Sequence, residues 1–270
     1  MVRRARLDAE LVRRGLARSR QQAAELIADG RVLVRGMVAG KPATAVENDA
    51  PVVIRRDDGP EWASRGALKL LGALEAFEPA GLTAAGRRCL DAGASTGGFT
   101  DVLLHRGAEE VVAADVGYGQ LLWRLRSDSR VRVLDRTNVR SLTPEATGGT
   151  VSLTVADLSF ISLRTVLPAL LGCTDAEGDL VPMVKPQFEV GRQRLGAGGV
   201  VREPELRLAA LTDVARAAEG LGLFVHGAVA SPAPGPAGNV EYFLWLRAGV
   251  SGDDHDVPAI LQQAVQEGPR

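Results

Sequence analysis

Leu90-Asp91-Ala92-Gly93-Ala94-Ser95-Thr96-Gly97-Gly98-Phe99-Thr100-Asp101 is the stretch whose reading decides the fold. Small and apolar residues surround Asp91, then Gly93, Gly97 and Gly98 follow, and helix-like spacing opens at Phe99. A strand, a tight turn and a helix start in that order form the nucleotide-binding unit of α/β proteins. Glycines let backbone approach a ligand there, and the helix start offers unpaired N–H groups.

The glycine spacing is Gly93-x-x-x-Gly97-Gly98, so the dinucleotide pattern G-x-G-x-x-G is absent and a nicotinamide oxidoreductase is disfavoured. The spacing is nearer to the looser D/E-x-G-x-G loop of S-adenosylmethionine (SAM) methyltransferases. The next apolar run, Val111-Val112-Ala113-Ala114, ends on Asp115, about two dozen residues beyond Asp91. A carboxylate at that place accepts hydrogen bonds from both ribose hydroxyls, which makes SAM the leading ligand. Gly93 to Gly97 also fits G-x-S-x-G, with Asp157 and His226 following in α/β-hydrolase order. Too little α/β-like chain precedes it for a nucleophile elbow, and no HGGG-type oxyanion loop lies upstream.

Outward from this loop, charge is unevenly spread. Residues 1–56 hold twelve Lys/Arg against six Asp/Glu, net +6, so an overall charge of −1 leaves −7 for the rest of the 270 residues. A basic module joined to an acidic one predicts a polyanionic partner for the first. Cys89 and Cys173 lie in apolar contexts without C-x-x-C spacing and read as buried, reduced thiols. His105, His226 and His255 have no metal-ligand spacing, so no metal is expected. The start lacks a signal-peptide core, and no uncharged apolar run reaches membrane-spanning length. These features predict a cytoplasmic protein with no membrane role.

Taken in order, residues 7–15 read as a short helix ended by Gly15. Ser19 caps a second helix, Arg20 to Ala28, and strands follow at Arg31 to Val34, near Val38 and at Val52 to Ile54. Residues 57–64 form a linker in which Trp62 is placed to pin one domain to the other. A helix then runs to about Phe77, with Lys69 set between apolar residues; on spacing alone, a snorkelling lysine is the favoured reading of it.

Strands are predicted at 89–92, 110–114, 131–134, 151–155 and 180–184, alternating with helices at 99–106, 120–127, 163–171 and 205–219. Residues 223–230 and 240–247 read as two consecutive strands. Such repeats give an α/β fold: a Rossmann-like sheet with an antiparallel final strand, over 65–248, after a small α+β module over 1–56. Ligands of such sheets bind beyond the carboxyl ends of the strands. Asp157, Lys185 and Glu241 all fall at that edge. Residues 249–270 read as a polar tail, apart from a short amphipathic piece near Ile260 and Val265, and receive no role.

Two resemblances sharpen this reading. Arg6-Leu-Asp-x-x-Leu-Val-x-Arg-Gly-Leu-x-x-Ser-Arg, then Ala-x-x-Leu-Ile-x-x-Gly-x-Val-x-Val-x-Gly, resembles the αL RNA-binding domain first known from a ribosomal small-subunit protein. The resemblance makes Arg4, Arg6, Arg18, Arg20 and Lys41 candidate phosphate contacts, although each alone could be solvated surface. Lys69, Asp157, Lys185 and Glu241 together resemble the K-D-K-E tetrad of ribose 2′-O-methyltransferases. Around them stand SRGALKL (64–70), LDAGASTGGFTD (90–101), VADLSFISL (155–163), VKPQFEVG (184–191), GAGGVV (196–201) and GPAGNVEYF (235–243). With the basic module in front, the chain resembles the TlyA family of ribosomal RNA 2′-O-methyltransferases from about residue 3 to 247. Glu61-Trp62-Ala63 departs slightly, since relatives often carry a basic residue before Trp and Val after it.

The resemblance implies transfer of a methyl from SAM to a cytidine ribose in large-subunit, and in some members small-subunit, ribosomal RNA. It gives Lys185 the role of holding or deprotonating the 2′-hydroxyl, with Asp157, Glu241 and Lys69 balancing charge around it. Asp91, Gly93, Ser95, Thr96, Gly97 and Gly98 would line the methionine and ribose side of SAM. Asp115 would take the ribose hydroxyls, Val116 the adenine face and Asn138 the adenine edge. Arg65 and Phe160 are further RNA candidates; Phe160 either stacks on a flipped base or packs under its loop. Ribosomal subunits are the expected partners and a monomer the expected state. The alternatives are a membrane-active haemolysin-like protein, to which the family's history points, and a non-catalytic RNA-binding protein.

Overall fold

The computed structural model describes residues 4–28, 30–55, 60–235, 237–249 and 256–268. The chain divides into two units, Met1–Glu61 and Trp62–Arg270. Positions 57–59 of the expected linker, Arg3 and His255 lie outside the described residues.

In the first unit, β1 (Arg4–Arg6) leads into α1 (Leu7–Arg13) and α2 (Arg20–Ala28), followed by β2 (Val32–Val34), β3 (Met37–Val38), β4 (Ala45–Glu47) and β5 (Val52–Ile54). Strands β3-β2-β5 form one small antiparallel sheet, and β1 pairs with β4 in another. The β1–β4 pair was not predicted, because three residues are too few to show alternation. Leu7, Leu11, Ala23, Ile27, Val32 and Val46 make the core. Helix α1 stops sooner than expected, and Gly15 follows at φ +71°, where a side chain would be strained. Ser19 Oγ accepts from the Gln22 N–H at 3.1 Å, as an N-cap does.

The second unit opens with α3 (Gly66–Phe77), β6 (Arg88–Ala92), α4 (Gly98–His105), β7 (Glu110–Ala114), α5 (Trp123–Arg126), β8 (Val131–Leu134) and α6 (Pro144–Thr147). It continues with β9 (Val151–Ala156), α7 (Leu163–Gly172), β10 (Thr174–Val184), α8 (Pro186–Glu189), α9 (Pro204–Glu219), β11 (Leu223–Ala230), β12 (Tyr242–Ala248) and α10 (Val257–Glu267). The seven-stranded sheet has the order β8-β7-β6-β9-β10-β12-β11. Strands β8 to β10 are parallel, and β12 runs antiparallel to both of its neighbours.

Apolar residues of α3 and α4 cover one face of this sheet, and those of α7, α9 and α10 cover the other. Both faces of β6, β7 and β9 are therefore largely buried, which is why such strands read as mainly apolar runs, whereas the edge strand β8 is only half-buried. Because β7 and β9 flank β6, the chain leaves β6 at the switch point where ligands of such sheets bind.

Three expectations are corrected. Strand β10 begins at Thr174 rather than Leu180; its first part is polar and has a register break between Thr174 and Asp179, which hid it from pattern reading. The helix expected over 120–127 is only Trp123–Arg126. The segment read as a polar tail contains α10, whose Leu261, Ala264 and Val265 join the main core and whose start is capped by Asp256 accepting from the Ala259 N–H at 3.1 Å. Trp62 is also seated within its own unit, edge-on to His105 with ring centres 5.2 Å apart.

Candidate active site

Sheet register brings the tetrad together. Val184 pairs with Tyr242, so Lys185 and Glu241 lie just past the same end of β10 and β12. Pro182 pairs with Ala156, which puts Asp157 at that end too. Lys69 reaches it from α3, where the side chain points to the sheet and is 8 % exposed. The result is two ion pairs: Lys69 Nζ to Glu241 Oε2 at 2.5 Å, and Lys185 Nζ to Asp157 Oδ1 at 2.5 Å. Lys69 is thus a buried, paired lysine and no snorkelling one.

The second pair is a charge contact without hydrogen-bond alignment, since Asp157 Oδ1 has no aligned donor and Lys185 Nζ donates to Ser159 Oγ at 3.1 Å. Gly235 makes room for Glu241: a Cβ there would meet Oε1 at 2.6 Å. Two cations and two carboxylates balance, which makes their shared desolvation tolerable.

On the neighbouring strand ends, Asp91 is fully buried. Its Oδ2 accepts from Thr100 Oγ1 at 2.7 Å, while Oδ1 has no partner. Burial pushes its carboxyl up to about 7, and the nearby Asp157 and Asp115 charges push the same way against the Thr100 bond. A buried acceptor with nothing to accept from is costly, and it fits a site that a donor-bearing ligand completes.

The glycines serve chiefly the protein's own packing. Gly93 and Gly97 have φ of +91° and +102°. A Cβ on Gly93 would meet the Asp157 carbonyl, on Gly97 Leu121 and Leu125, and on Gly98 Ser64 Oγ and the Ala67 amide. They let strand end, loop and α3 come into close contact around the start of α4.

Asp115 Oδ2 accepts from the Ser95 N–H at 2.8 Å and Oδ1 from the Gly117 N–H at 2.7 Å. Each oxygen keeps a second lone pair, so ribose hydroxyls remain compatible with it. Ser95 has φ +48° and is exposed, Thr96 is half-buried, and Val116 is exposed beside Asp115. Asn138, expected at the adenine edge, lies just after β8, where its Oδ1 caps a short helix by accepting from the Arg140 N–H at 3.1 Å. Phe160 does not pack under its loop; it is 92 % exposed and tilted against Phe188, with centres 5.3 Å apart. Arg65 is exposed at the start of α3.

Sequence reasoning missed Thr100, Ser159, Gln187, Glu189 and Asn239. Gln187 Nε2 donates to Glu241 Oε1 at 3.3 Å, and its own Oε1 is buried and unpartnered. Asn239, 3 % exposed, ties residues 199 and 201 to the loop that delivers Glu241. Proximity to Lys185 in Lys185-Pro186-Gln187-Phe188-Glu189 was the available signal for two of them.

In the first unit, the RNA candidates are largely salt-bridged. Arg6 and Arg20 both bond Asp8, at 2.9 Å each, and Arg4 pairs with Glu47 at 3.3 Å. The Arg6 guanidinium, more than Arg20's, holds the Asp8 carboxyl well below the usual range. Arg18 and Lys41 are exposed, and Lys41 has no side-chain partner among the described residues. Cys89 is buried, and burial pushes its thiol up to about 12, which leaves it unreactive.

Residues 62–248 match the FtsJ-like methyltransferase family, and residues 5–50 match the S4 domain. The chain belongs to the TlyA family of FtsJ-like methyltransferases. It is 61 % identical, over all of both chains, to the 16S/23S rRNA (cytidine-2′-O)-methyltransferase TlyA of Mycobacterium tuberculosis. It is 32 % identical to the 23S rRNA (cytidine-2′-O)-methyltransferase TlyA of Campylobacter jejuni, over 84 % of this chain and 93 % of that one. A Streptococcus thermophilus protein solved under a hemolysin name superposes with a TM-score of 0.77 at 37 % identity, over 99 % of this chain and 96 % of that one. Among the described residues, no helix is long and apolar enough to cross a membrane.

Proposed function

We propose that this chain methylates the ribose 2′-oxygen of a cytidine in ribosomal RNA, using SAM, on both the large and the small subunit. The observation that carries the reading is the two lysine–carboxylate contacts, made by buried lysines, beside the glycine loop. Full-length similarity to an enzyme named for both RNAs supports the substrate.

Asp91, Gly93, Ser95, Thr96, Gly97, Gly98 and Asp115 fit SAM: the orphaned Asp91 oxygen provides an acceptor and the loop an opening at a helix start. Bound there, SAM supplies a methyl on a positively charged sulfur that leaves as a neutral thioether. Lys69 and Lys185 hold the ribose 2′-oxygen in place. Lys185, in its uncharged form, accepts the hydroxyl proton as the oxygen–carbon bond forms, and Asp157 beside it stabilises the ammonium produced. Glu241 keeps Lys69 in position, and Gln187 keeps Glu241 in position. Holding oxygen and methyl in line supplies much of the acceleration. Arg4, Arg6, Arg18, Arg20 and Lys41 of the first unit contact RNA phosphates, and Arg65 of the second makes a phosphate contact of its own.

Transfer of tritium from labelled SAM to separately purified large and small ribosomal subunits tests this. Label is expected on the RNA of both. Label on one subunit alone would narrow the substrate, and a protein that fails to bind SAM would contradict the reading.

A further inference from the structure

Glu189 is a buried carboxylate to which the methyl-transfer scheme gives no task. Its side chain is 1 % exposed. Oε1 accepts from the Leu163 N–H at 2.7 Å, and Oε2 accepts from Ser162 Oγ at 2.6 Å and faces Arg164 Nε at 3.3 Å. Leu163 opens α7, and Ser162 at its N-cap position makes no capping bond of its own. The cap therefore comes from a residue 26 positions further along the chain. A carboxylate suits that place, because a helix N-terminus combines unpaired N–H groups with positive potential.

The two segments so joined are the ones that carry half of the tetrad. Residues 157–162 hold Asp157, Ser159 and Phe160, and residues 185–189 hold Lys185, Gln187 and Phe188. They meet at Lys185, which contacts Asp157 and Ser159, and again at Glu189. Between these fastenings, Phe160 stands out against Phe188 at φ +64°. A bulky residue holds a left-handed conformation only where its surroundings enforce it, and such strain gathers at functional sites.

We propose that Glu189 is a positioning residue for methyl transfer. By capping α7 and gripping Ser162, it holds Phe160 raised beside Phe188 as an aromatic pair that receives the base of the nucleotide being methylated. This rests on the ribose-methylation reading above. Glu189 touches no reactant; it works through the loop, and what it must supply is two acceptor oxygens in the right places.

Steady-state kinetics of the full chain with ribosomal RNA, alongside SAM binding, test the proposal. Glu189→Ala is expected to raise KM for RNA about tenfold or more while SAM affinity holds within about twofold, since misplacing a positioned group by an ångström is enough for such losses. Glu189→Gln, which keeps one of the two acceptors, should recover part of it. Phe160→Ala should raise KM alike, and Glu189→Ala added to it should cost nothing more, because both act through one device. Additive losses, or a loss in kcat alone with KM for RNA unchanged, would overturn the proposal. If Glu189→Ala is unfolded at the assay temperature, Ser162→Ala carries the test: a smaller rise in KM supports it and an unchanged KM overturns it. Failure of the wild type to methylate ribose would instead sink the underlying reading, and it shows before any variant is compared.

Discussion

In the first unit, buried acids hold mostly exposed arginines; at the tetrad of the second, the cations themselves are inside. Asp8 and Glu10 are buried, and three of the guanidiniums that bond them remain exposed, Arg6 by 52 %, Arg20 by 60 % and Arg13 by 59 %, while Arg14 is tucked in against Glu10. Lys69 and Lys185 are themselves buried, the first with a buried Glu241 and the second against a half-buried Asp157. Similar ion pairs thus serve opposite ends. An exposed arginine has five donors in a planar fork, and a carboxylate engages only part of it, so the remainder stays available to phosphate. On the proposed reading, the buried acids of the first unit orient arginines for phosphate, and the buried lysines of the second face one ribose oxygen.

The contrast breaks most visibly at Lys185. Lys185→Ala is expected to lower kcat by about 100- to 10,000-fold while SAM affinity and RNA affinity hold, as loss of a proton acceptor does. Single-turnover methylation beside binding titrations measures it; retention of near-normal kcat would move the base elsewhere in the tetrad.

Asp91 gives the next effect. Its carboxyl sits at about 7, so a cationic ligand that favours the ionised form binds more weakly below that pH, by at most about tenfold per unit. The sign for folding is opposite to that of a salt-bridged acid. Between the ordinary carboxylate range and about 7, the folded chain holds a proton that the unfolded chain has released, so stability falls as pH rises through that window. Asp91→Asn should flatten both profiles and bind SAM weakly at every pH. Calorimetric titration from pH 5.5 to 8.5 decides this.

In the first unit, each arginine should matter less. Arg20→Ala is expected to reduce RNA affinity several-fold and the slope of log affinity against log salt by about one, with methyl transfer at saturating RNA unchanged. An unchanged slope would make Arg20 a structural partner of Asp8 alone. Asn138→Ala should change least: SAM affinity within about threefold, because the side chain is engaged as a helix cap, with stability lower by about 1 kcal/mol in a denaturant melt.

Much of the architecture was legible before any coordinates. Buried parallel strands announce themselves as apolar runs, and Asp91 to Gly98 marks the switch point. What escaped has physical causes. Strand β1 and its partner β4 are three residues each, α10 hides behind a polar lead-in, and the first half of β10 is hydrophilic. Residue types foretold a ligand loop, yet not that Gly97 and Gly98 are demanded by Leu125 and Ser64, because that depends on elements distant in sequence. Lys69 shows the same limit: spacing favoured snorkelling, and only its partner 172 positions away gives it a buried place. Glu189 and Asn239 act between loops, so local pattern discloses at most that Glu189 follows Lys185 closely, and not what either residue joins.

The measurement that tests the central claim most directly is alkaline cleavage of ribosomal RNA after treatment with the wild-type chain and SAM. A 2′-O-methyl group removes the nucleophile that cleaves the following phosphodiester, so the account predicts a new missing rung in the ladder of each subunit's RNA, at a cytidine that carries the transferred label. A complete ladder with label on the RNA would place the methyl on a base and contradict the assignment of the lysine–carboxylate site to ribose chemistry.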